Sequence, residues 1–98
     1  MNFKYLLSDG IKDELILLAH KYDIQKIILF GSRARGDNKS VSDIDLAVSG
    51  GDIERFKCDV DDEIETLLMF DVVNLDEPVK SELLDSINKD GVIIYEKV

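Results

Sequence analysis

Apolar residues recur at helical spacing early in the chain. Leu7, Ile11, Leu15, Leu18 and Tyr22 fall on one face of a 3.6-residue repeat. Ser8 or Asp9 offers a side-chain oxygen to the first unpaired amides, so a helix is predicted over residues 9–21. The period then changes. Ile27-Ile28-Leu29-Phe30 is an unbroken apolar run of strand length, which predicts a buried strand over 25–30. Gly31-Ser32 breaks it, residues 32–35 open a short helix, and Gly36-Asp37-Asn38-Lys39-Ser40 is a polar loop. A second strand is predicted from Asp43 to Ser49.

Gly50-Gly51 marks the next turn, and Asp52 is a plausible cap for a helix running to Leu68. Its apolar stripe is Ile53, Phe56, Val60, Ile64 and Leu67, with Glu54, Lys57, Asp61, Asp62 and Glu65 opposite. A run of charge on the far side of such a stripe reads as a solvated face. Phe70 to Leu75 predicts a third strand. Asp76-Glu77-Pro78 is expected to begin a last helix, since proline is tolerated in a first turn. Val79, Leu83, Leu84 and Ile87 would be its buried side and Gly91 its end. Val92-Ile93-Ile94-Tyr95 is a final strand, at a sheet edge or beside the third. This order predicts an α/β (α+β) fold: one mixed sheet of about four strands, helices on one face, the other face partly open.

Packing alone does not explain Gly31 to Val48, GSRARGDNKSVSDIDLAV. In a strand, alternate side chains share a face, so Asp43 and Asp45 point one way and Ile44, Leu46 and Val48 the other. The two aspartate Cα atoms would lie roughly 6.6 to 6.8 Å apart. Carboxylates that close repel when both are ionised, and a hard divalent cation such as Mg²⁺ removes the conflict. Gly31 lets backbone approach an anion closely, and amides at a short helix start can face a phosphate. Ser32 adds a hydroxyl donor, and Arg33 or Arg35 could add a planar guanidinium. Asp71, inside an apolar strand, is costly unless paired, metal-bound or exposed.

Gly31-Ser32-Arg33-Ala34-Arg35-Gly36 followed by Ser42-Asp43-Ile44-Asp45-Leu46 closely resembles the nucleotidyltransferase superfamily of DNA polymerase beta type. Within it the chain looks like the minimal nucleotidyltransferases, small proteins paired with helical HEPN partners and several of them antitoxins. The resemblance implies that Gly31, Ser32, Arg33 and Arg35 contact the nucleotide. It implies that Asp43, Asp45 and Asp71 hold two Mg²⁺ ions and carry the catalysis. It further implies transfer of AMP from ATP to a hydroxyl, the leading acceptor being a tyrosine of a HEPN toxin. Two other readings stay open. One is a non-catalytic nucleotide-binding antitoxin that blocks its toxin by binding. The other is a subunit of a heteromeric transferase whose partner supplies the acceptor pocket. Larger relatives carry an additional acceptor-binding domain, so an acceptor that is small or presented by another protein is expected.

Composition narrows the picture. With 98 residues, a single domain over 1–98 is expected. The formal net charge of -9 argues against a broad basic face for nucleic acid, while bound cations and local arginines can still reverse the sign at a nucleotide site. No apolar run approaches the roughly 18 residues of a membrane span, and no secretory signal is evident. Cys58 is the only cysteine, which leaves no internal disulfide and makes a cytoplasmic location the default. His20, the only histidine, near the end of the first helix, is expected at the surface rather than in catalysis.

Overall fold

The computed structural model of the protein describes residues 8–31, 44–64 and 69–97. In chain order the elements are α1 (Asp9–Lys21), β1 (Lys26–Phe30), β2 (Ile44–Ser49), α2 (Ile53–Glu63), β3 (Phe70–Asn74), α3 (Ser81–Asp90) and β4 (Val92–Glu96). Ser8 caps α1 by accepting a hydrogen bond from the Ile11 amide at 3.3 Å. Asp52 does the same for α2 with the Arg55 amide at 3.2 Å. Both are placed as the sequence predicts.

The sheet order is β3-β2-β1-β4. β1 runs antiparallel to β2 and to β4, and β2 pairs parallel with β3. A parallel pair cannot be joined by a tight turn, and α2 supplies the crossover. β4 is a sheet edge, as expected, but it lies against β1 and not beside β3.

The main core forms on one side of the sheet. Ile27 and Leu29 of β1 and Ile44, Leu46 and Val48 of β2 pack with Leu15, Leu18 and Ala19 of α1 and Phe56 and Val60 of α2. Strand alternation sends Phe30 and Ala47 to the opposite face, where they cluster with Ile87 and Leu83 of α3 and with Val73. The expectation of helices on one face therefore holds for α1 and α2 and is corrected for α3, which covers part of the other face. The pattern of α3 showed that it has an apolar side but not which surface would receive it. Leu84, expected in that stripe, is 38% exposed, and Val79 precedes the helix.

Two boundaries also differ from the pattern. α2 ends at Glu63 rather than Leu68, with Ile64 in an extended conformation and buried. Its last turn carries Asp61, Asp62 and Glu63 and no basic residue, so three carboxylates face the negative end of the helix dipole. The last helix begins at Ser81, not at Asp76. Pro78 disfavours helical backbone at the residue before it, and the upstream acids are engaged elsewhere. Asp76 Oδ2 accepts from the Gly50 amide at 3.0 Å, and Glu77 Oε1 accepts from Asn74 Nδ2 at 3.2 Å.

Candidate active site

β1 delivers the chain to Gly31, whose φ of +77° lies in the left-handed region that a residue with a Cβ adopts only at a cost. The same glycine leaves room for its neighbour: a Cβ at this position would run into the Asp45 carboxylate. Asp45 sits near the start of β2, across the antiparallel ladder from Phe30. It is half-buried.

On its other side Asp45 meets β3. The parallel register pairs Ile44 with Phe70, Asp45 with Asp71, and Leu46 with Val72. Residues paired across a ladder share a face, so Asp45 and Asp71 stand side by side on adjacent strands about 4.8 Å apart. Asp71 is exposed. The two carboxylates lie on the face that carries Ala47, Val73 and α3, opposite the main core. Among the described residues, α3 bounds this face and Asp71 on it is exposed.

These residues suit a hard cation. Two carboxylates at one register position, one of them solvent-accessible, repel when ionised and offer oxygen ligands of the kind Mg²⁺ prefers. The absence of a Cβ at Gly31 lets the Asp45 carboxylate lie against the turn. Among the described residues no group of three or more His, Cys, Asp or Glu side chains could hold a metal. The third expected carboxylate, Asp43, lies outside the described residues, as do Ser32, Arg33 and Arg35.

A second polar arrangement lies on the other side of the sheet. The Tyr22 hydroxyl, after α1, donates to Asp59 Oδ2 of α2, and Lys21 Nζ reaches the same oxygen at 3.3 Å. The tyrosine hydrogen bond, helped by Lys21, holds the Asp59 carboxyl below the usual range. The same bond pushes the Tyr22 hydroxyl up, and the Asp59 carboxylate does likewise for Lys21. Tyr22 also packs against the main core, so the trio is a clamp between helices. The helical stripe assigns Tyr22 to packing and carries no sign of Asp59, because residues 37 positions apart have no local signal of their pairing. His20 is exposed and meets the Tyr95 ring edge-on at 5.4 Å between centroids, in keeping with a surface role. Cys58 is exposed with a free thiol.

A mixed sheet of this order, with paired carboxylates beside a glycine turn, is the frame of a nucleotidyl-transferring domain. The chain belongs to the family described as "Polymerase beta, Nucleotidyltransferase", whose model matches residues 13–98. No curated protein matches it. Solved structures share the fold at low sequence identity. A toxin–antitoxin crystallised with AMP-PNP is 23% identical with a TM-score of 0.69, covering 88% of this chain and 73% of that one. A variant of the toxin–antitoxin MntA-HpeT with two aspartates changed to glutamate is 21% identical with a TM-score of 0.68, at the same coverage. A nucleotidyltransferase-like protein from Sulfolobus solfataricus is 22% identical with a TM-score of 0.60, covering 96% of this chain and 82% of that one. The polymerase beta-type fold expected from the motif is thus the fold observed.

Proposed function

We propose that this chain is a Mg²⁺-dependent nucleotidyltransferase that moves AMP from ATP to a hydroxyl, and that the acceptor is a tyrosine of a helical HEPN-type toxin which the transfer silences in the cytoplasm. The observation that carries the reading is the pairing of Asp45 with Asp71 beside the Gly31 turn. Family membership supports nucleotidyl transfer. The likeness to structures described as toxin–antitoxin, one of them with AMP-PNP, supports a nucleotide and a toxin partner.

In this reading Gly31 and Ser32 receive the β- and γ-phosphates through backbone amides and a hydroxyl, with Arg33 and Arg35 adding guanidinium donors. Asp43, Asp45 and Asp71 hold the metal. When bound, Mg²⁺ supplies charge neutralisation on the phosphate oxygens and a more acidic acceptor hydroxyl. The acceptor oxygen forms a bond to the α-phosphorus, the bond from that phosphorus to the bridging oxygen of the β-phosphate breaks, and diphosphate leaves. Asp71, the exposed member of the pair, takes the hydroxyl proton. Asp45 is held by β1 and β3 on either side, so its carboxylate is preorganised and not recruited at the moment of reaction.

The test is incubation of the chain with ATP labelled at the α-phosphate, Mg²⁺ and a helical HEPN-type protein that co-purifies with it. Label on a tyrosine of that protein, lost with Asp45→Asn, supports the reading. Neutralisation of the toxin without label, unchanged in Asp45→Asn, overturns it in favour of a binding antitoxin.

A further inference from the structure

β3 ends the sheet on the side of the carboxylates. Its inner ladder to β2 is complete: the Met69 carbonyl accepts from the Ile44 amide at 2.9 Å, and the Leu75 amide donates to the Val48 carbonyl at 2.9 Å. Backbone groups of a strand alternate in direction, so Asp71 and Val73 also turn their amides and carbonyls toward β2. Those of Phe70, Val72 and Asn74 then turn outward. Among the described residues, the Glu77 amide reaches one of these outward groups, the Asn74 carbonyl, at 3.4 Å.

The Val72–Asn74 half of this edge, next to Asp71, is the floor of a groove of about 420 Å³. One wall is Glu54 and Lys57 of α2; the other is Pro78, Val79 and Lys80 ahead of α3. Each wall thus carries a lysine, and acids stand at Glu54 and Glu77. Mixed charge over an apolar floor favours neither a polyanion nor a lipid surface. A row of outward amide and carbonyl groups between two walls matches the backbone of an extended peptide, which adds a strand and sets its side chains alternately on the two faces.

We propose that the open edge of β3 docks an extended segment of the protein that carries the acceptor hydroxyl, as a fifth strand of the sheet. This rests on the transferase reading above and names how its substrate binds. A strand paired at this edge lies about 4.8 Å from β3. A residue opposite Asp71 projects on the same face as that carboxylate, its Cβ roughly 4.5 to 5.5 Å from the aspartate Cβ. Every second side chain of the segment faces the main-core side instead, between Val72 and α2. The hydroxyl that reaches the site is thereby selected by register.

The experiment uses the chain co-expressed with the helical HEPN-type protein that co-purifies with it, and reads amide hydrogen exchange by NMR with and without that protein. Docking slows exchange at Val72 and Phe70 by at least tenfold, while Asp71 and Val73, already bonded to β2, change little. Unchanged exchange at Val72 and Phe70 in the complex overturns the proposal. A Val72→Pro variant removes the outward amide without touching the ladder to β2, and slow exchange at Asp71 and Val73 verifies that it is folded. Label transfer from ATP should fall at least tenfold in this folded variant; full transfer overturns the docking site and leaves the transferase reading intact. If the unaltered chain transfers no label, the transferase reading fails, and slowed Val72 and Phe70 exchange still decides whether the edge binds the partner.

Discussion

Asp71 lies directly across the parallel β2–β3 ladder from Asp45. The pairing joins residues that are 26 positions apart and binds their roles together. Replacing Asp45 with asparagine keeps shape and volume but removes a charge that the proposed mechanism uses to hold the metal. Transfer should fall by about 10²-fold or more, while the thermal midpoint without nucleotide stays the same or rises, because the repulsion with Asp71 is relieved. Asp71→Asn should behave in the same way. A rate assay with circular-dichroism melting checks both halves of the prediction.

Metal and nucleotide should stabilise the chain only together and only through this pair. A ligand that binds the native state alone raises stability by about 2.7 kcal/mol at a hundredfold excess over its dissociation constant. Melting with ATP and Mg²⁺ should therefore move up by several degrees. The shift should vanish with EDTA, and with Asp45→Asn in the presence of metal. A shift that persists in that variant would place the nucleotide elsewhere.

Gly31→Ala tests the turn. The φ of +77° costs a residue with a Cβ about 1 to 2 kcal/mol, and the new methyl would press on the Asp45 carboxylate. Urea unfolding should show a loss of that size. Transfer should fall further than the stability loss alone explains, because Asp45 is displaced from its position.

The clamp between α1 and α2 makes a pH prediction on stability. Asp59 is held below the usual carboxylate range, first by the Tyr22 hydroxyl and then by Lys21. A carboxyl depressed in the folded state stabilises at pH above its unfolded value, and that contribution is lost as pH falls through the folded value. Tyr22→Phe should lower the melting temperature at neutral pH. The gap to the unaltered protein should close as the pH drops through the carboxylate range and below. A gap that stays constant in acid would mean the hydroxyl bond does not govern Asp59.

Phe56 is fully buried in the main core. Phe56→Ala should cost about 3 to 5 kcal/mol, a large share of the roughly 5 to 15 kcal/mol by which a domain is stable. Loss of the cooperative urea transition, or its shift to much lower concentration, is the expected result.

Much of this molecule was legible in the chain. The 3.6-residue stripe of α1 with Ser8 ahead of it placed that helix to its observed ends, and Asp52 marked the start of α2. Alternation around Ile44, Leu46 and Val48 assigned those side chains to the core and Asp45 to the far face. These are short-range matters: a cap, a periodicity and a turn act within a few residues, so local sequence decides them. The alignment of Asp71 with Asp45, the move of α3 to the carboxylate face, the early end of α2 and the Tyr22–Asp59 bond belong to tertiary structure. Each depends on which surfaces meet across long loops, and that is set by the packing of the whole chain and not by any one stretch of it.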